Sequence, residues 1–204
     1  RNGRESLDCA LALQELVRMG VSNIITFDAH DPRVQNAIPL SGFETVSPSY
    51  QFVKSLLATV DDLQIDSSHM MVISPDEGGT HRAVYLANVL GLDMGMFYKR
   101  RDYTRIVNGR NPIVAHEFLG SSVEGKDVII IDDMISSGDS IIDVATELKR
   151  RKARRIYAAA TFGLFTSGLE KFDQAYDEGL ITGILTTNLI YQTPELLAKP
   201  YYIN

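Results

Sequence analysis

Apolar runs typical of buried strands alternate along this chain with stretches in which apolar residues recur at helical spacing. Residues 70–73 and 128–131 are wholly apolar, as is usual for strands that are buried on both faces of a parallel sheet. A helical pattern follows each of them, for example at residues 141–148. This alternation after about residue 45 predicts an α/β fold with a doubly wound parallel sheet. Further strands are predicted at residues 94–98, 156–161 and 183–186.

The first part of the chain carries one helical pattern and one strand pattern. Residues 5–19 form a broad apolar face that ends before Gly20, which predicts an amphipathic helix. Residues 24–27 predict a strand. Residues 36–49 follow neither period and include prolines and a glycine, so we expect the chain to cross between two domains there.

Composition narrows the class of protein and its partners. The formal net charge of -6 argues against nucleic acid or an anionic membrane surface as the main partner, and no apolar run is long enough to cross a membrane. Cys9 is the single cysteine, so we expect no disulfide framework and a reducing, cytoplasmic location. The chain starts at Arg1 without an initiator Met or an apolar signal region, so we expect missing upstream sequence and no secretory peptide.

Two adjacent carboxylates and a short polar loop separate the strand at 128–131 from the helix at 141–148. Ligands of open α/β sheets bind at the carboxyl ends of the strands, and the N–H groups that begin a helix attract phosphate. Carboxylates there can accept hydrogen bonds from sugar hydroxyls or hold Mg²⁺-bound water. The alternative is a solvated acidic turn. The candidate residues are Asp132, Asp133, Ser136, Ser137, Gly138, Asp139 and Ser140.

Two other predicted strand ends carry candidate ligands. Asp28 and His30 follow residues 24–27 and can face one ligand, because side chains alternate along an extended chain. Metal or phosphate contact is one interpretation, and an Asx turn into Asp31 is the other. Asp76 precedes the glycine pair 78–79, where it can contact a metal or a hydroxyl group, although a plain strand-to-helix loop explains the pattern as well.

The sign of the charge reverses after the strand at 94–98. Residues 99–110 include five basic residues and one acid, which favours an anionic partner in an otherwise acidic chain. Lys99 and Arg101 point to the same side if the strand continues. The polar and apolar mixture that follows suits a mobile lid, and a solvated surface loop is the alternative.

Taken in order, five motifs resemble the ribose-phosphate pyrophosphokinase family. They are Arg-Glu-Ser at 4–6, Phe-Asp-Ala-His at 27–30, residues 72–79 with Arg82, Tyr-Lys-Arg-Arg at 98–101, and residues 128–140. Only the last is widely shared with phosphoribosyltransferases. The family fold is two phosphoribosyltransferase-type domains. The resemblance therefore implies that residues 1–44 end the first domain and that residues 45–204 form the second, which carries the ribose 5-phosphate site.

The resemblance also implies a reaction, in which the diphosphate group of ATP moves to the anomeric hydroxyl of ribose 5-phosphate with Mg²⁺ as cofactor, giving phosphoribosyl pyrophosphate and AMP. It assigns the 5-phosphate to residues 136–140 and the ribose hydroxyls to Asp132 and Asp133. It further implies homodimers that assemble further, and it assigns no ATP-binding residue within this chain. By this resemblance, His30, Asp76 and the adjacent Asp28 are metal-linked, Lys99 and Arg101 are the catalytic basic pair, and Arg101 also contacts ribose 5-phosphate.

Two departures from the family's phosphate loop keep other functions open. Ser136 stands where the family often has an acid, and Asp139 replaces a glycine and brings a negative charge near a phosphate dianion. One alternative is a phosphoribosyltransferase, which uses the same metabolite. The other is a non-catalytic regulatory subunit that resembles a pyrophosphokinase. Whether this chain is active alone also stays open.

Overall fold

The computed structural model describes residues 6–101 and 113–203, and for residues 99–101 and 113–116 it describes the backbone alone. The chain divides after Tyr50 into two compact units. The predicted lid falls largely on residues 102–112 and so lies outside the described residues. None of the described helices is long and apolar enough to cross a membrane.

The first unit is a small parallel α/β arrangement. Helix α1 (Asp8–Arg18) is followed by strand β1 (Asn23–Phe27), a 3₁₀ helix (Pro32–Ala37) and strand β2 (Gly42–Val46), which pairs in parallel with β1. The predictions of α1 and β1 are confirmed. Strand β2 lies within residues 36–49, which follow neither period in the sequence, and it runs past residue 44. The expected crossing between two domains at residues 36–49 stays a prediction. The assignment of residues 1–44 to a first domain of the family stays a prediction.

The second unit is built on a seven-stranded sheet in the order β5-β4-β3-β6-β7-β8-β9. All neighbouring strands are parallel except β4 and β5, which are antiparallel. The predicted doubly wound sheet is therefore confirmed, with one antiparallel edge strand. The strands are β3 (Met70–Ser74), β4 (Asp93–Arg101), β5 (Ile113–Leu119), β6 (Asp127–Ile135), β7 (Ile156–Gly163), β8 (Gly183–Thr186) and β9 (Tyr202–Ile203). The helices are α2 (Ser49–Thr59, at the division between the units), α3 (Thr80–Leu90), α4 (Asp139–Arg150), α5 (Glu170–Asp177) and α6 (Pro194–Leu197).

Helices cover both faces of this sheet because alternate strand residues point to opposite sides. On one face, Val128 and Ile130 pack with the apolar sides of α4 and α5. On the other face, Ile129 and Ile131 pack with α2 and α3. The central strands β3 and β6 therefore bury residues on both sides, which explains why their sequences are apolar runs rather than alternating patterns.

Strand β6 extends well beyond its neighbour β3. Pairing with β3 ends at Ile130, whereas pairing with β7 continues to Ile135. The prediction that the chain leaves the sheet after residue 131 is therefore wrong, since Asp132 and Asp133 are still part of the strand. Strand β4 is likewise longer than predicted and includes Lys99 to Arg101. Because β3, β4 and β6 are parallel, their carboxyl ends lie at one edge of the sheet.

Candidate functional site

The acid pair of β6 is held in a partly buried setting at the carboxyl edge of the sheet. Asp133 is 3% exposed, and its carboxylate lies 3.9 Å from the guanidinium of Arg82, a buried residue of α3. The backbone N–H of Asp133 donates a 2.9 Å hydrogen bond to the Asp132 carboxylate. The sequence placed these two acids after the end of the strand. In the structure they form a pair within β6, on the part of the strand that extends beyond β3.

The surroundings of Asp132 favour its protonated form. Burial contributes most, followed by a hydrogen bond to the carboxyl group of Asp133 and the negative charges of Asp133 and Asp76, while the Asp133 N–H opposes them. Together these effects raise the pKa of Asp132 to about 7. A cation or a hydrogen-bond donor placed beside Asp132 would reverse this effect, so the group is well suited to bind one.

Asp76 organises the loop between β3 and α3. Its carboxylate accepts hydrogen bonds from the backbone N–H groups of Gly78, at 2.9 Å, and Gly79, at 3.2 Å. A Cβ atom on Gly79 would lie 3.0 Å from Ser74 Oγ, a tight contact that favours a residue without a side chain there. Asp76 thus stabilises the strand-to-helix loop, as the structural interpretation of the sequence pattern predicted. A carboxylate has about four lone-pair directions, so these two bonds leave acceptor capacity for a ligand.

The predicted phosphate loop is shorter than residues 136–140. Asp139 and Ser140 form the first turn of α4, and Gly138 precedes them with φ +83°, in the left-handed region that favours glycine. A Cβ atom on Gly138 would lie 2.2 Å from Phe172 Cζ. The first N–H groups of a helix have no acceptor inside the helix, and the helix dipole is positive at this end. This turn therefore suits a phosphate group.

The side chain of Asp139 is turned toward α5. Its carboxylate accepts a 2.9 Å hydrogen bond from Ser137 Oγ and forms an ion pair with Lys171. The hydrogen bond from Lys171 is the main reason why the pKa of Asp139 is lowered, followed by the bond from Ser137. The charge introduced at this position therefore has a specific cationic partner. Sequence reasoning missed Lys171, because it is 32 residues away and carries no local signal.

The metal-linked candidates Asp28 and His30 follow β1 in the first unit. Asp28 has φ +40°, and its N–H donates to the carbonyl oxygen of Val46 at 3.0 Å. The neighbouring Asp31 caps the 3₁₀ helix by accepting a 3.0 Å bond from the N–H of Arg33. An Asx turn therefore begins at Asp31, and the metal or phosphate contact of Asp28 and His30 stays a prediction.

The catalytic candidates Lys99 and Arg101 are described through their backbone positions. Lys99 lies opposite His116 of β5, and Arg101 lies opposite Ile113 after an irregularity in the register. Both residues come after Met96, which is level with Ser74 at the end of β3. Their backbone is therefore at the same edge of the sheet as Asp132 and the start of α4.

The donor set at this edge fits a magnesium ion that is shared with substrate. Within the described ranges, no three His, Cys, Asp or Glu side chains are grouped as a metal site. Mg²⁺ typically keeps several waters and is held by one or two carboxylates together with substrate phosphates. Asp76 and Asp132, whose charges interact, provide oxygen ligands of this kind.

Comparison with known proteins agrees with the fold and motifs. The phosphoribosyl transferase domain matches residues 43–198. A ribose-phosphate pyrophosphokinase of Mycoplasma genitalium is 31% identical over 93% of this chain and 54% of its own length. That of Thermococcus kodakarensis is 33% identical over 84% of this chain and 57% of its own length.

The crystal structure of phosphoribosylpyrophosphate synthetase from Mycobacterium smegmatis shares the fold. Its TM-score is 0.77 at 23% identity, over 98% of this chain and 59% of that chain. The chain spans about half the length of the curated relatives that it matches. The predicted resemblance to ribose-phosphate pyrophosphokinases is confirmed, and the chain belongs to the phosphoribosyl transferase domain family.

Proposed function

We propose that the full-length protein is a ribose-phosphate diphosphokinase, which transfers the diphosphate group of ATP to the anomeric hydroxyl of ribose 5-phosphate and releases AMP. The observation that supports this most directly is the shared edge of the sheet, where the acid pair of β6, the start of α4 and the end of β4 come together. Similarity to proteins named ribose-phosphate pyrophosphokinase over most of the chain supports the same reaction.

In this proposal the second unit binds ribose 5-phosphate from two sides. The N–H groups that begin α4, with Ser136, Ser137 and Gly138, bind the 5-phosphate, which the helix dipole favours. Asp132 and Asp133 accept hydrogen bonds from the ribose hydroxyls, and this binding is strongest when Asp132 is ionised. The anomeric hydroxyl is thereby fixed for attack, and such positioning supplies much of the catalysis of phosphoryl transfer.

Basic residues stabilise the charge that moves during the reaction. Lys99 and Arg101 are proposed to contact the transferred diphosphate, and Arg101 also contacts ribose 5-phosphate, so that the developing negative charge meets fixed positive charge. Mg²⁺ would neutralise the ATP phosphates when bound, and Asp76 and Asp132 are the residues of the second unit proposed to hold it, while the metal link of His30 and Asp28 stays a prediction from the resemblance. A homo-oligomer based on dimers and a cytoplasmic location complete the proposal.

The test is an assay for AMP release by the full-length protein, with ribose 5-phosphate and Mg²⁺ each omitted in turn. We expect release to require both, and we expect Lys99→Ala to reduce turnover by at least about a hundredfold, the scale of removing one transition-state donor. Lys152→Ala is the matched control, because Lys152 forms an exposed ion pair with Glu124 near the start of β6, at the opposite edge of the sheet.

Each alternative function gives a different result in this assay. A phosphoribosyltransferase consumes phosphoribosyl pyrophosphate and a base, and it releases no AMP from ATP. A non-catalytic subunit binds the substrates without turnover. AMP release that does not depend on ribose 5-phosphate would refute the proposed reaction, and near-normal turnover of the Lys99 variant would remove that residue from it.

A further inference from the structure

The ion pair between Asp139 and Lys171 links the start of α4 to α5, beside the proposed binding site of the 5-phosphate. Asp139 is the first residue of α4, and Lys171 is the second residue of α5. Both side chains are about half exposed, at 62% and 47%. The remaining carboxylate oxygen of Asp139 accepts the hydrogen bond from Ser137 Oγ. The carboxylate is thus held by one group of the phosphate loop and by one cation outside it.

An acidic residue in the first turn of a helix has two opposite effects on this site. It stabilises the helix, because the dipole is positive there, but it also repels an anion that binds to the same N–H groups. The repulsion matters most for a phosphate dianion, which carries up to two negative charges at neutral pH. A positive charge close to such an acid reduces the repulsion of the phosphate.

We propose that Lys171 is a positioning residue of the ribose 5-phosphate site, which neutralises Asp139 and holds its carboxylate on the α5 side of the loop. This inference rests on the proposed function, and it adds a residue that no motif of the sequence identifies. Lys171 acts through Asp139 and is assigned no contact with the substrate.

Removal of Lys171 would leave the charge of Asp139 without its partner. The carboxylate would then reorient within the first turn and repel the 5-phosphate, while the ATP phosphates and the catalytic basic pair would be unaffected. Exposed ion pairs are worth up to about 1 kcal/mol, so we expect Lys171→Ala to raise the KM for ribose 5-phosphate about fivefold. The kcat and the KM for ATP should change less than about twofold, because this interaction does not strengthen in the transition state.

Substitutions at both positions distinguish charge compensation from a structural role. Asp139→Asn keeps an acceptor for Ser137 and removes the charge, so it should lower the KM for ribose 5-phosphate. The double variant Asp139→Asn with Lys171→Ala carries neither charge, and its KM should return to within about twofold of the wild-type value. Lys171→Arg should keep the wild-type KM, because it keeps the positive charge.

The experiment uses the full-length protein, with Lys152→Ala as the control for loss of an exposed lysine. Steady-state kinetics are measured with ribose 5-phosphate varied, and the rise in melting temperature caused by inorganic phosphate is measured on the same proteins. Lys171→Ala should weaken this stabilisation by phosphate, and the double variant should restore it.

The two measurements separate the failure of this inference from the failure of the proposed function. An active wild-type enzyme in which Lys171→Ala leaves the KM for ribose 5-phosphate unchanged would overturn the inference alone. So would a double variant that stays as impaired as Lys171→Ala. A wild-type protein without AMP release refutes the proposed function, and the phosphate measurement then still decides whether Lys171 compensates Asp139. If the wild-type protein is not stabilised by phosphate either, both are wrong.

Discussion

The substitution Gly138→Ala tests the local geometry that places the start of α4. Gly138 combines two constraints, a φ of +83° and a close approach to Phe172. A left-handed conformation costs a residue with a Cβ atom about 1–2 kcal/mol. The added Cβ would lie 2.2 Å from Phe172 Cζ, so the ring or the loop must move.

The ring of Phe172 has little room to move. It is fully buried and packs edge-on against Phe165, with ring centroids 5.3 Å apart. Overpacking of a filled core costs typically about 1–3 kcal/mol. The free energy of unfolding should therefore fall by about 2–5 kcal/mol in Gly138→Ala. The KM for ribose 5-phosphate should rise as well, because the loop that precedes α4 is displaced.

The matched control is Gly125→Ala. Gly125 has φ +74°, and a Cβ atom there would meet nothing within 4 Å, so this variant loses only the conformational term, about 1–2 kcal/mol. Urea denaturation of both variants at pH 7 gives the two losses from the transition midpoints at constant slope. Equal destabilisation of the two variants, within about 0.5 kcal/mol, would show that Phe172 does not restrict residue 138 and would refute the reasoning.

Two further predictions concern titratable groups of the second unit. The pKa of Asp132 is raised from 3.8 to about 7. Between about pH 4 and about pH 7 the folded state therefore keeps a proton on Asp132 that the unfolded state has lost. The free energy of unfolding should fall as the pH rises from about 4 to about 7, because the unfolded state binds fewer protons in this range. Urea denaturation at several pH values should show that Asp132→Asn lacks this component, and an unchanged pH dependence would contradict it. Asp127 is fully buried at the opposite edge of the sheet; burial raises its pKa, but hydrogen bonds from Arg154 and Arg155 outweigh burial and lower it. Asp127→Asn should therefore cost about 2 kcal/mol at pH 7, and the difference from wild type should shrink as the pH falls below about 4, whereas a constant difference would show that the charge has no role.

The sequence predicted the central strands well because their environment is uniform. Strands β3 and β6 are buried on both faces, so the apolar run is itself the signal, and turn or loop residues mark where each helix follows. Strand β2 was missed because most of its residues are exposed, which removes any strong apolar pattern. Strand β5 was missed because it is defined by its antiparallel pairing with β4 at the edge of the sheet, and its own sequence does not indicate that pairing.

The sequence predicted those parts of the candidate site whose residues are consecutive in the chain. Asp132, Asp133 and the turn before α4 are consecutive in the chain, so a strand followed by acids and small residues identified them together. The sequence could not show that the acids remain within β6, because their backbone is held by β7, a strand more than twenty residues away. Nor could it show the raised pKa of Asp132, which depends on burial and on the charge of Asp76 from another loop.

By itself, the amino-acid sequence determined the alternation of strands and helices, the family and the residue types at the edge of the sheet, because each depends on neighbours within about one turn or one strand. Only the tertiary structure decided how far β6 extends, that the ring of Phe172 lies close to Gly138, and that Lys171 lies against Asp139. These features arise from contacts between elements far apart in the chain. Such contacts depend on how the layers pack, which leaves no periodic trace in the sequence.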